Sequence, residues 1–298
     1  MEMDGDYGLF ARIVEGGSLS AAGRAVGLSP AMVSKRLARL EARLGTRLVN
    51  RTTRRLALTA DGEQFHRDVL AILAAVEAAE ARVGRKQGAP AGLLRVSAPT
   101  SFGRLHVAPA IKGFLDAYPG IELEIDLSDG FVDLVEDRID VAIRIAARIG
   151  PGLVGHRLGS NRRILCAAPA YLARHGTPAR IKDLGRERLL AATGQLPWRL
   201  DGPGGPITVQ GRSHVRTNSS EVVRELTLAG VGIALRSLWD VWQEMAEGRL
   251  VCVLPDHEGA ADVGIHAVYP RAAIVPPAVP AFVAYLRGLY ASPAPWDG

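Results

Sequence analysis

A chain of 298 residues that is 48% hydrophobic and 22% charged can build two or three folded domains and is too apolar for a disordered polymer. Two cysteines exclude a disulfide scaffold, and the acidic start Met1-Glu-Met-Asp-Gly-Asp6 does not read as a secretory signal. The net charge of +5 is uneven: residues 1–59 hold 10 Lys/Arg against 5 Asp/Glu, and the rest holds 26 of each. Within 21–59 nine basic residues face one acid, Glu41, the footprint of a polyanionic partner.

The stretch from Ser18 to Gly45 has helix-turn-helix grammar. Ser18 is placed to cap a short helix, Gly27 supplies the permissive turn, and Ser29-Pro30 opens a second helix with Pro where its missing N–H does no harm. Leu19, Ala22 and Val26 form the inner stripe of the first helix, and Val33, Leu37, Leu40 and Leu44 that of the second. Gly23 allows the helices to approach closely. Ala31, Ser34 and Lys35 share the opposite face of the second helix, where small and polar side chains suit a major groove. Residues 47–51 and 54–58 then read as a β-hairpin. Arg51, Arg54 and Arg55 crowd its tip, as in a wing lying along phosphates or in the minor groove; a hairpin that only covers the helix pair is the alternative.

These residues carry a resemblance. Ser18-Leu-Ser-Ala-Ala-Gly-Arg-Ala-Val-Gly-Leu-Ser-Pro30, the Leu40-Glu-Ala-Arg-Leu-Gly45 end and the Asn50-Arg-Thr-Thr-Arg54 wing resemble the N-terminal domain of LysR-type transcriptional regulators. Two departures are Gly23, where Ala is usual, and the Thr59-Ala-Asp-Gly62 entry to the next helix. The resemblance implies double-stranded DNA as partner, at a dyad-symmetric promoter site. The candidate contacts are Ser18, Ser20, Ser29, Pro30, Ala31, Ser34, Lys35, Arg39, Arg51, Thr52, Thr53 and Arg54.

From Asp61 to about Gly84 no Pro interrupts an Ala-rich, charged stretch, so a long helix is expected. Phe65, Val69, Ile72, Val76, Ala79 and Val83 recur at an average of about 3.5 residues, the repeat of a coiled-coil seam. Leu70 and Leu73 widen the stripe, so a helix packed on its own domain is the alternative. In the resembling family this is the linker helix that pairs the heads, implying a homodimer or homotetramer. The polar run Gly84–Gly92 marks the domain boundary, with the head at 1–60, the linker at 61–91 and the C-terminal domain at 92–298.

The remainder has α/β texture. Leu93–Ser97 reads as a strand, about 103–118 as a helix with Ala108, Ile111, Leu115 and Tyr118 inward, and Ile121–Leu127 as an alternating strand. A short helix near 131–137 and the strand Ile139–Ile145 complete a βαβαβ run with a parallel sheet. A second lobe, 161–265, is expected to hold the strand Arg163–Ala168, Leu189–Ala192, a hairpin at Asp201–Pro206 and a strand at 207–216. The helix Ser220–Ala229, the strand Val231–Leu235, a helix at 238–247 and the strands Arg249–Leu254 and Gly264–Tyr269 follow. A terminal helix near 278–290 returns to the first lobe, 92–160 with 266–298.

Leu94-Arg-Val-Ser-Ala-Pro-Thr100, Asp140-Val-Ala-Ile-Arg144, Cys166-Ala-Ala-Pro-Ala-Tyr-Leu172 and Ala229-Gly-Val-Gly-Ile-Ala-Leu235 extend the resemblance. They are similar to the two-lobed, periplasmic-binding-protein-like effector domain of the family. Asn50-Arg-Thr-Thr-Arg54 and Leu235-Arg-Ser-Leu-Trp239 resemble the branch of D-malate-responsive regulators. Thr100 and Ser101, and Asn218, Ser219 and Ser220, stand at helix starts, where free N–H groups and the dipole favour an anion. If the lobes face each other as in the family, both starts meet one cleft. Ser128, Phe131, Arg144 and Trp198 are further candidates; a plain N-cap is the alternative for each Ser, Thr and Asn, and core packing that for Phe131 and Trp198.

Other chemistry lacks residues to carry it. Gly230-x-Gly232 has no third Gly and follows a helix, which excludes a dinucleotide fingerprint. No G-x-S-x-G, P-loop or Cys/His cluster occurs, so no catalytic residue, metal or cofactor is expected. Cys166 and Cys252 lie in apolar strands as reduced thiols, with a redox role left open. Ala272–Leu286 contains Pro276, Pro277 and Pro280 and is too broken to span a membrane. The reading is a cytoplasmic, homo-oligomeric DNA-binding regulator that answers to a small carboxylate effector, with RNA polymerase as a further candidate partner. The alternative is a two-lobed solute-binding protein or enzyme with a basic head.

Overall fold

The computed structural model describes residues 2–52, 55–83, 90–130, 132–272 and 274–290. The chain divides into two compact units. The first is Met1–Ala89 with Val135–Arg138 and Ala272–Pro277; the second is Pro90–Leu134 with Ile139–Arg271 and Ala278–Gly298.

The head opens with α1 (Glu2–Glu15), which the sequence reading does not anticipate. Leu9, Phe10 and Ile13 of this helix are buried in the head's core with Val33, Leu37, Leu40 and Leu48. Helices α2 (Leu19–Val26) and α3 (Pro30–Leu44) are capped as expected: Ser18 Oγ accepts from Ala21 N at 3.1 Å and Ser29 Oγ from Met32 N at 3.3 Å. Gly27 closes α2 in the left-handed region at φ 68. A Cβ on Gly23 would stand 2.5 Å from Leu28 O, so this glycine sets how closely the turn passes α2. The inner stripes are shorter than the periodicity suggests. Val26 and Leu44, at the helix ends, are 37% and 36% exposed because no described element covers them.

Strands β1 (Val49–Thr52) and β2 (Arg55–Leu58) pair antiparallel as the expected hairpin. Thr59 Oγ1 then accepts from Gly62 N at 2.9 Å and starts α4 (Ala60–Val83). Gly62 is needed there, since a Cβ would collide with Leu48 O.

The seam expected along α4 is partly consumed by its own head. Phe65 packs on Tyr7 and Phe10 at ring-centroid distances of 5.5 Å, and Val69 and Leu70 are buried in the head's core. The cause is α1, which covers the first turns of the stripe. Ile72 remains 43% exposed and Val76 is half-buried, whereas the side chains of Ala79 and Val83 lie outside what is described.

The second unit holds two sheets. After β3 (Gly92–Ala98), a continuous helical run comprises α5 (Thr100–Phe102), a π-turn (Gly103–Val107) and α6 (Ala108–Ala117). The π-turn adds a residue to one turn and rotates the inward face. Val107 and Phe114 are therefore buried, while Ala108 is exposed and Ile111, Leu115 and Tyr118 are only partly covered. Strands β4 (Ile121–Leu127) and β5 (Val141–Ala146) flank β3 in parallel, as expected of a βαβ crossover. The short helix expected near 131–137 is instead a turn over 134–138, closed by Ile139 N donating to Leu134 O at 2.8 Å.

Strand β6 (Leu153–Ser160), absent from the sequence reading, completes the first lobe's sheet with a late strand, β14 (Gly264–Pro270), in the order β4-β3-β5-β14-β6. The second lobe follows with β7 (Arg163–Ala167), α7 (Pro169–His175), a 3-10 turn (Ile181–Arg186) and β8 (Leu189–Leu190). Next come β9 (Trp198–Gly202) and β10 (Gly205–Val209), a hairpin that stops short of the strand expected to 216. Helix α8 (Ser220–Leu228), β11 (Ile233–Ser237), α9 (Leu238–Ala246), β12 (Val251–Cys252) and β13 (Glu258–Gly259) close this lobe. Strand β14 (Gly264–Pro270) and α10 (Ala278–Leu289) return to the first. Cys166 and Cys252 are cross-strand neighbours on β7 and β12.

Burial separates two roles along α4. Val69→Asp would place an unpaired charge in the head's core and is expected to abolish its cooperative melting. Ile72→Asp is expected to leave that transition within about 1 kcal/mol and act on oligomeric state alone. Thermal melts with light scattering on the full chain check both; Ile72→Asp that leaves the assembly intact contradicts the seam.

Candidate DNA-binding face and effector cleft

In the head, the exposed side of α3 presents Ala31 and Lys35, with Ser34 half-buried beside them. Met32, missed by the sequence reading, is 51% exposed near the start of the same helix, an apolar side chain on the outer side of α3. Pro30 and Ser20 are exposed at the starts of α3 and α2. Ser18 and Ser29 have already accepted an N–H as caps, leaving each hydroxyl a proton to donate. Arg51 and Thr52 lie on β1, their side chains undescribed, and Thr53 and Arg54 fall outside the described residues.

Two inward carboxylates organise this face. Asp6, nearly fully buried, accepts from Arg36 Nε at 2.7 Å and Arg39 Nη2 at 3.0 Å, tying α1 to α3. Arg39 therefore offers DNA only part of its guanidinium. Burial alone would raise the Asp6 carboxyl, but the hydrogen bonds and charges of Arg36 and Arg39 outweigh it and hold the group below its ordinary 3.8. Glu41, the single acid in 21–59, accepts from Leu48 N at 2.9 Å and Val49 N at 3.1 Å, fixing the entry to the wing against α3. Its Leu-Glu-x-x-Leu-Gly setting was the available signal.

In the second unit the two helix starts meet through a residue that the sequence reading overlooks. Asp129 Oδ1 accepts from Thr100 N at 2.9 Å and Asp129 Oδ2 from Ser220 N at 2.6 Å. One carboxylate thus joins the first lobe to the second. Beside it Arg104 Nε donates to Glu221 Oε1 at 2.5 Å, also across the lobes. Ser219 caps α8 through its own hydroxyl, 3.4 Å from Val222 N. Ser220 Oγ accepts from the buried Arg236 Nη1 at 2.9 Å and from Gln195 Nε2 at 3.3 Å. With both lone pairs taken, the hydroxyl can act only as a donor to a further partner. Arg236 is held by Asp240, one turn further along the chain.

The other candidates divide. Ser101 is buried, with no partner for Oγ among the described residues, and Asn218 is exposed in the loop before α8. Ser128 Oγ accepts from Gly130 N at 3.2 Å, shaping the turn that carries Asp129. Arg144 Nη2 donates to Val132 O at 2.9 Å and braces that loop. Phe131 lies outside the described residues. Trp198 is not a cleft residue: it is 2% exposed in the second lobe's core with Leu165, Leu200 and Val209, as its place on a hairpin strand facing the sheet requires. Where the lobes also touch, Trp239 packs edge-on to Phe102 at 5.0 Å and donates from Nε1 to Asn161 Oδ1 at 2.7 Å.

Comparison with known proteins gives this arrangement its class. Residues 6–63 match the model of the bacterial regulatory helix-turn-helix protein, lysR family, and residues 87–291 that of the LysR substrate binding domain. The chain belongs to the LysR family of transcriptional regulators. This LysR-type regulator is 37% identical over 294 residues to the HTH-type transcriptional regulator DmlR of Escherichia coli, covering 97% of this chain and 95% of that one. It is 37% identical to the HTH-type transcriptional activator TtdR of the same organism, covering 89% and 86%. Among solved structures, full-length CrgA of Neisseria meningitidis matches with TM-score 0.62 at 32% identity, over 96% of this chain and 98% of that one. The Vibrio cholerae virulence activator AphB matches with TM-score 0.65 at 28% identity, over 97% and 99%. The regulator therefore joins a DNA-binding helix-turn-helix to a two-lobed effector-binding domain.

For this regulator, Asp6→Asn is expected to lower the head's stability by about 2 kcal/mol near neutral pH, the scale of hydrogen bonds to charged groups. Because the folded carboxyl titrates below 3.8, that contribution is complete above 3.8 and lost as pH falls through the lower folded value. Urea melts at neutral and strongly acid pH check it; a wild-type advantage that persists in acid contradicts the assignment.

Proposed function

We propose that this regulator binds a dyad-symmetric promoter site as a homodimer or homotetramer in the cytoplasm, without catalytic activity. Its grip on that site answers to a small organic acid held between the two lobes. The observation that carries the acid reading is the seat itself: helix starts from both lobes are already complementary to a carboxylate, because they hold that of Asp129. The Ser220 hydroxyl, loaded as a donor by Arg236 and Gln195, extends the same complementarity. D-malate is the first candidate, given the resemblance to regulators of that response. Binding stabilises one angle between the lobes, and the linker helices pass that change to the spacing of the heads, where RNA polymerase reads it.

Two measurements test this. Gel shifts against the promoter beside its own gene are expected to weaken steeply with salt, through counterion release by the basic head. Substitution of Ala31 or Ser34 should change sequence preference, and Arg51→Ala should weaken all sequences alike. A thermal-shift screen of organic acids, amines and neutral sugars should single out acids. Thr100→Pro removes a seat N–H at a helix position that tolerates Pro and should reduce the acid's effect about tenfold. Stabilisation by amines or sugars alone contradicts the acid reading.

A further inference from the structure

We propose that Asp129 is an internal ligand of the effector cleft: its carboxylate fills the seat that joins the lobes, and an incoming acid takes effect by displacing it. This deepens the organic-acid reading above and rests on it only for the identity of the competitor.

Helix capping alone does not account for the contact. Thr100 follows Pro99, which has no side-chain acceptor, so an acceptor from elsewhere on the first lobe would complete that helix. Helix α8 already has its cap in Ser219. Yet Asp129 gives its second oxygen to α8, 91 residues away, at the shorter of its two distances, 2.6 Å. The carboxylate therefore acts between lobes. An ionised acceptor on two N–H groups at positive helix ends is a strong contact. The neighbouring Arg104–Glu221 pair crosses the same gap, but with Arg104 51% exposed it contributes little.

The surroundings resemble a binding site more than a cap. Ser101, one residue beyond the Thr100 donor, is 2% exposed and its Oγ has no partner among the described residues. Ser220 Oγ has accepted from two donors and keeps a proton to give. The Ser220 hydroxyl therefore stands next to one of the two N–H groups, a donor that Asp129 does not use. The Asp129 carboxylate sits on a turn closed by Gly130 N on Ser128 Oγ at 3.2 Å and is tethered at high effective concentration. Its presence keeps the lobes together without effector and sets the concentration at which a free acid can enter.

The test uses the full chain with Asp129→Ala, Asp129→Asn and, as a break in a second polar interlobe contact, Glu221→Gln. Acetate and formate are the probes for the vacated seat; D-malate and succinate are the probes for the effector. Expected for Asp129→Ala are a lower melting temperature, a larger radius of gyration in X-ray scattering, and recovery of both with tens of millimolar acetate or formate. Wild type and Glu221→Gln should show no such recovery. The half-saturating concentration of D-malate or succinate should fall at least tenfold in Asp129→Ala. Should Asp129→Ala not fold, Asp129→Asn, which keeps one acceptor, is expected to shift the same readings in the same direction.

Equal effects of acetate on wild type and variant, or a variant indistinguishable from wild type in melting and scattering, overturn the internal ligand. Acetate rescue with no organic acid altering promoter binding of any form supports the internal ligand and removes the effector reading. A malate response identical in wild type and variant, without rescue, leaves the effector reading and removes the internal ligand.

Discussion

The first N–H groups of a helix have no partner within it, and in this regulator two such groups from different lobes converge on one ionised carboxylate. The arrangement of the second unit serves that meeting. A parallel crossover places Thr100 at the carboxyl end of β3, and β4 ends beside it, delivering the Ser128–Gly130 turn to the same edge. In the second lobe, Ser219 caps α8 and leaves Ser220 to face Asp129, while the buried Arg236–Asp240 pair fixes the Ser220 hydroxyl from behind. A buried cation that touches the site only through a serine is a positioning group, and removing it would leave Asp240 with only the longer 3.9 Å pairing to Arg224.

The head uses its acids in the opposite way. Asp6 and Glu41 are turned inward, one onto Arg36 and Arg39, the other onto the N–H groups that begin the wing. Each acid orders part of the DNA-binding face while withdrawing its own charge from the surface. Asp6 also takes part of the charge of Arg36 and Arg39 inward, so the exposed Arg24, Lys35, Arg43 and Arg47 carry most of the basic face left to solvent. Gly62 and Gly23 have similar positional meaning, since a side chain at either would strike the carbonyl of Leu48 or Leu28.

Much of this was legible in the sequence, for identifiable reasons. Helix-turn-helix, wing and α4 follow from caps and turn glycines, which act over a few residues. The parallel run β4-β3-β5 follows from alternation and punctuation. What failed needed information from distant residues. The seam along α4 looked free because α1 was not recognised, and α1 alone decides that Phe65 and Val69 face inward. The π-turn at Gly103–Val107 shifted the helix face by a residue, which periodicity cannot foresee. The helix starts of the cleft were found, but Asp129 was passed over because nothing near it in sequence identifies its partners, 29 and 91 residues away.

The central claim is that an acid in the interlobe seat governs the grip on DNA. Footprinting of the full-length regulator on its own promoter, with and without D-malate and related acids, addresses that claim most directly. The account predicts a protected region that changes length or position on adding an acid, at lower acid concentration in Asp129→Ala than in wild type. Identical footprints in both proteins at every acid concentration would contradict it.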